Sequence, residues 1–204
     1  MGYRHDIFIS YRRDTEVLGW INDHFLPLLK TNVTFELGRE PDVFVDQQLE
    51  VGGIWPFGLA DSISRSRILI SLWTKTYLFS EWCTLEMSHM LERDKKTGFR
   101  TPDNPYSLII PVIIHDGETL PPEISLVQKI EITSFFTVRM HKYSESAEKL
   151  SQALYLKAGA IASAIRRAPE WEDNWKIDAT NSFFKKYHDL NSPMQHEITK
   201  YTRS

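Results

Sequence analysis

The chain has 204 residues, enough for one domain with a sizeable hydrophobic core, and its 42% hydrophobic and 25% charged residues are those of an ordinary globular protein. Acidic residues outnumber basic ones 27 to 24, which removes the electrostatic case for a general nucleic-acid binder. A single cysteine allows no internal disulfide and no metal-ligand framework, and no run of about eighteen apolar residues spans a membrane.

The first residues run straight into a short apolar strand, so we expect no signal peptide and read the chain as soluble and cytoplasmic. Four β-branched runs predict strands in chain order: Asp6 to Ser10, Val43 to Val45, Arg67 to Trp73 and Leu108 to Ile114. A weaker fifth is Lys129 to Thr133. They are continuous rather than alternating, as expected of strands buried on both faces of a parallel sheet. Pro111 cannot donate to a ladder, and a bulge or a missing bond is expected there.

Helix-length stretches separate these runs. Leu18, Ile21, Phe25 and Leu28 recur at helical spacing between Glu16 and Leu29. Trp55 to Ser64 forms a shorter amphipathic piece, and Ser80 offers an N-cap for a helix reaching Asp94. An alanine-rich stretch from Ser146 to Arg167 predicts the final helix. The insert Thr31 to Pro41 reads as a small hairpin around Gly38. Residues 168–204 form a polar, aromatic tail, read as a packing arm or terminal helix in preference to a docking segment. Strand and helix in alternation predict an α/β doubly wound domain.

In such a sheet, ligands bind outside the carboxyl ends of the strands, where the strand order reverses. That edge should gather Tyr11, Arg12 and Arg13 after the first strand and Asp46 and Glu50 after the second, with Trp82 and Glu86 on the helix after the third. Trp82 and Glu86 stand four apart and share a helix face, where an indole can shield a carboxylate and stack on a flat ring. From spacing alone, a solvated glutamate beside a half-buried tryptophan is the simpler explanation of the pair. The two arginines offer planar forks for phosphate, and ordinary surface charge also explains them. Cys83 has no adjacent base and reads as a small buried hydrophobe. Glycine-rich dinucleotide loops, Walker loops and nucleophile elbows are all missing, and Leu72-Trp73-Thr74 lacks the aspartate that a phosphoacceptor receiver needs at that point.

His5 to Arg13 resembles the first signature box of the TIR (Toll/interleukin-1 receptor) domain family, in its bacterial standalone form. Val43 to Asp46 followed by Leu49, Glu50 and Gly52 is similar to its second strand and BB loop. Ser64 to Trp73 is similar to its third-strand region, and Ser80-Glu81-Trp82-Cys83-Thr84-Leu85-Glu86 to its S-x-W-C-x-x-E stretch. The four boxes keep the family's order over roughly residues 5–165. The resemblance implies a flavodoxin-like fold with a five-stranded parallel sheet over residues 1–167, the tail lying outside it. It also implies an enzyme that cleaves the nicotinamide–ribose bond of NAD, hydrolysing it or cyclising the ADP-ribose part, in bacterial antiviral defence. Glu86 would be catalytic, with Tyr11, Arg12, Arg13, Asp46, Glu50 and Trp82 around the substrate. NAD is then substrate rather than cofactor, no metal is required, and the expected partners are further TIR domains and an activator or effector protein. Neither nucleic acid nor membrane is expected as a partner. The alternatives are a non-enzymatic TIR scaffold acting by homotypic contact, and a nucleoside-processing transferase of similar topology.

Overall fold

In the computed structural model, the residues described are 2–46, 56–116, 120–173, 175 and 182–187. Five strands form one sheet: β1 (His5–Tyr11), β2 (Val43–Val45), β3 (Ser66–Trp73), β4 (Ile109–Ile113) and β5 (Ile130–Glu131). All neighbours are parallel and the order is β2-β1-β3-β4-β5. The fold is therefore the flavodoxin-like doubly wound α/β sheet, with its order reversing between β1 and β3. β1 and β3 are buried along almost their whole length, which is why their sequences read as unbroken apolar runs.

The helices follow as α1 (Thr15–Trp20), α2 (Leu26–Leu37), α3 (Pro56–Ser64), α4 (Glu81–Lys96), α5 (Pro122–Ser125) and α6 (Glu145–Arg167). A π-helical stretch, Ile21–Phe25, joins α1 to α2 without a break. Right-handed crossovers put α1 and α2 on one face of the sheet and α3 and α4 on the other. α6 returns to pack on α2, and Arg166 donates to the Glu36 carbonyl.

Two local expectations are corrected. The insert is no hairpin, since residues 31–37 continue α2 and Gly38 ends it in the left-handed conformation at φ 73°, donating to the Thr34 carbonyl. Thr31 and Asn32 bond the carbonyls of Pro27 and Leu28, one turn back. Leu29 and Val33 are fully buried, so tertiary packing overrides the weak helix propensity of the β-branched residues. At Pro111 the pairing of β4 with β3 runs on in register, Ser71 opposite Pro111, with no bulge. Ile114 donates to Trp73 on the β3 side, while the Ile113 carbonyl accepts from Ile132 on the β5 side. By alternation the missing donor of Pro111 faces β5, which pairs only from Val112 onward.

Beyond Gly38, Arg39 grips Asp6 with both terminal nitrogens, at 2.6 and 2.8 Å, and the Asp42 N–H donates to the same carboxylate. Burial alone would push the Asp6 carboxyl up, but these donors outweigh it and hold the group below its ordinary value.

The described part of the tail lies on the amino-terminal edge of the sheet. Trp171 donates to the Ser64 carbonyl, and Trp175, Phe183 and Phe184 are buried. Trp175 lies against the Arg93 guanidinium, 4.1 Å from its ring centre. Arg93 is itself buried and donates to the carbonyls of Ile63, Ser64 and Ser66, so that α4 closes the open carboxyl end of α3. The Tyr3 hydroxyl donates to the Pro169 carbonyl at 2.7 Å.

Candidate active site

At the carboxyl ends of β1 and β3, where strand order reverses, Glu86 enters from the second turn of α4. The helix begins where the sequence predicts, with Ser80 accepting from the Cys83 N–H. Only 5% of Glu86 is exposed, and its Oε2 accepts from the Ser10 hydroxyl at 2.5 Å. The same Ser10 oxygen is 2.5 Å from the hydroxyl of Tyr77, a fully buried residue on the short 3-10 helix Tyr77–Phe79.

Burial pushes the Glu86 carboxyl up to about 8. The Ser10 hydrogen bond and the Arg13 charge oppose that rise, and the neighbouring Asp46 carboxylate adds to it. Beside it, burial and then the Glu86 charge push the Cys83 thiol far up, so the sulfur is an inert wall and not a nucleophile.

Tyr11, Arg13, Asp46 and Trp82 line the same crevice as Glu86. Its mouth is crossed by two bonds to the end of β2, one from the last residue of β1 and one from the segment that follows it. Arg13 pairs with the Asp46 carboxylate, and the Tyr11 hydroxyl donates to the Asp46 carbonyl at 2.8 Å. Burial, then the Asp46 charge, pushes the Tyr11 phenol up to about 12, which keeps it a donor. The space left inside is about 10 Å³, room for about one water molecule.

Arg12, one residue earlier, turns away from this crevice. It donates to the Thr76 hydroxyl at 2.9 Å and lines a neighbouring groove of about 220 Å³ with Asp14 and Thr74. Asp14 caps α1 by accepting from the N–H groups of Glu16 and Val17, so that helix end has already used its donors. Of the seven residues expected here, five meet around one crevice and Arg12 stands beside it. Glu50 lies outside the described residues. Ser10 and Tyr77 were not anticipated. Ser10 sits inside the first box, but nothing in a linear sequence joins it to positions 67 and 76 residues away.

A much larger cavity, about 830 Å³, lies elsewhere, between the far end of α4, α5 and the helix at 182–187. Of its three cations, Arg100 pairs with Asp94 and Lys186 with Glu123, and neither of its carboxylates, Glu92 and Glu123, is buried as Glu86 is. No group of His, Cys, Asp and Glu that could hold a metal occurs among the described residues. Among those residues, no helix is long and apolar enough to cross a membrane.

Fold and site define a flavodoxin-like α/β domain with a buried carboxyl group at the switch point of its sheet. A family model for the TIR domain matches residues 7–154, most of the chain, and the chain belongs to the TIR-domain family. Among curated proteins, none matches it. A solved structure that does match is the activated Roq1 resistosome directly recognizing the pathogen effector XopQ (TIR domains). It is 19% identical over 95% of this chain and 99% of the other, with a TM-score of 0.37.

Proposed function

We propose that this TIR domain cleaves NAD between nicotinamide and ribose, with Glu86 as the catalytic residue. The observation that carries the reading is the buried Glu86 carboxyl at the switch point, walled by Trp82 and flanked by Arg13. Breaking the bond from C1′ to the ring nitrogen sends the electron pair to nicotinamide, which leaves neutral, and builds positive charge on the ribose. Glycosidases need a second carboxylic acid to protonate the leaving group. Here the leaving nitrogen is already cationic, so a single carboxylate suffices, aimed at the charge that develops on the sugar. Water then attacks C1′ and loses a proton to give ADP-ribose; a nucleophile of the ADP-ribose part in place of water gives a cyclic product. Trp82 supplies a flat apolar wall for nicotinamide, and Arg13 a fork for the diphosphate.

Substrate must part the Arg13–Asp46 pair to enter, and a diphosphate competes with Asp46 for the same guanidinium. We assign the remaining work of opening to contact with a second TIR domain or with an activator protein. Consumption of NAD, or release of an ADP-ribose signal, suits a role in antiviral defence. The narrowness of the crevice favours a second reading, a scaffold that acts only through homotypic contact.

The deciding experiment incubates the protein with NAD at low and high protein concentration and follows nicotinamide and the adenine products by chromatography. Nicotinamide released by the wild type and not by Glu86→Gln is the expected result, with a rate rising faster than protein concentration. Equal turnover by both proteins would remove the role given to Glu86. Absence of turnover at every concentration would leave the scaffold.

A further inference from the structure

The Ser10 hydroxyl carries one proton, and it is donated to Glu86 Oε2. Its contact with Tyr77 must then run the other way, with the Tyr77 hydroxyl donating and Ser10 accepting. The bonds therefore form a one-way chain, Tyr77 to Ser10 to Glu86, with both links 2.5 Å long. The chain is sealed from solvent, since Tyr77 is 0% exposed and Ser10 1%. Burial holds the Tyr77 phenol well above its ordinary value, so it keeps its proton. The Tyr77 ring leans on Trp73, 4.7 Å between ring centres, which fixes where the hydroxyl points.

We infer that Ser10 and Tyr77 are positioning residues, a relay of two hydroxyls that fixes one oxygen of Glu86 and favours its charged form. Among the described residues, the other polar and titratable groups lining the crevice with Glu86 are the Tyr11 phenol from β1, Arg13 from the β1–α1 segment, Asp46 from the end of β2, the Trp82 indole and the Cys83 thiol from α4, and the Ser80 hydroxyl, which is engaged in capping that helix. Arg13 is the one cation among them, and it is shared with Asp46. Beside that shared cation, the relay stabilises the Glu86 charge from the buried side. A carboxylate polarised from its buried side keeps its other oxygen for the sugar. The catalytic meaning of the relay rests on the NAD-cleaving reading, while its effect on Glu86 does not.

The test therefore includes a measurement that needs no turnover. The Glu86 side-chain carboxyl is followed by carbon-13 NMR through a pH titration of the full chain, identified by its disappearance in Glu86→Gln. Ser10→Ala should raise the midpoint by roughly one to two pH units, the worth of a hydrogen bond to a charged group. Tyr77→Phe, which removes a single oxygen and spares the ring packing, should raise it by a smaller amount and decides the matter where Ser10→Ala does not fold. With NAD, kcat/KM of Ser10→Ala should fall at least tenfold at pH 7 and recover toward wild type at high pH. A loss that is the same at every pH would mark a purely structural role. A Glu86 midpoint unmoved in the variants overturns the relay. A moved midpoint in a protein that never turns over NAD sustains the relay and removes the enzymatic reading.

Discussion

A carboxyl group held out of water makes folding depend on pH. Glu86 binds its proton more tightly in the folded chain, at about 8 against an ordinary 4.5. Its contribution to stability is therefore complete below pH 4.5 and is lost as pH rises through 8. Gln at this position accepts the Ser10 proton equally well and has no charge to desolvate. Glu86→Gln should match the wild type near pH 5 in urea denaturation and exceed it by roughly 3 kcal/mol near pH 8. A gap that does not widen with pH would show that water reaches the carboxyl freely. The same variant should lose activity, so stability and chemistry pull in opposite directions at this residue. The carboxylate was legible in the sequence through the S-x-W-C-x-x-E resemblance at Ser80 to Glu86, since the helical spacing of Trp82 and Glu86 alone favours a solvated glutamate. The relay behind it was not, because its members meet only when β1, the 3-10 turn and α4 are packed.

Among the elements, strands were read more surely than the segments between them. β1, β3 and β4 announce themselves as β-branched runs because both sides of the sheet bury them. α2 was misread at its end, since Thr31, Val33 and Thr34 favour extended structure and Gly38 suggests a turn equally in a hairpin and at a helix end. What decides is the partner helix α6, which a local window does not contain. Gly38 is the cleanest place to test the correction. Its φ of 73° is costly for any residue with a Cβ, yet nothing within 4 Å would meet that atom. Gly38→Ala should cost about 1 kcal/mol from the backbone alone, and Gly38→Asn clearly less. Equal stability for the three proteins in thermal unfolding would contradict the left-handed cap. Arg12 and Arg13 show the same limit on a smaller scale. Adjacent in sequence, they are placed differently: Arg13 lines both the Glu86 crevice and the neighbouring groove, and Arg12 lines the groove without reaching the crevice, a difference set by the local backbone rather than by composition.

Across the whole molecule, α4 ties the candidate site to the opposite edge of the sheet. Glu86 and Arg93 lie seven residues apart on one face, about 10 Å along the axis. Arg93 binds α3, β3 and the tail at once, and burial, the leading cause, draws its guanidinium down to about 10. Arg93→Met keeps much of the volume and removes every donor, leaving the carbonyls of Ile63, Ser64 and Ser66 without this partner. The expected loss is about 3 kcal/mol or more in urea unfolding, and a loss under about 1 kcal/mol would show that those carbonyls are satisfied otherwise. None of this was legible in the sequence, where Arg93 is one charge in a run of polar helix residues.

The bond from Tyr3 to Pro169 spans 166 positions of the chain. Closing a loop of that size costs more entropy than any hairpin or crossover, so it is made after the sheet has paid for the approach of its ends. On a ribosome adding about 5–20 residues each second, the first strand waits on the order of ten seconds or more before its distant partner exists. During that interval the nascent sheet has an open amino-terminal edge, and the aromatic tail is the last piece to seal it.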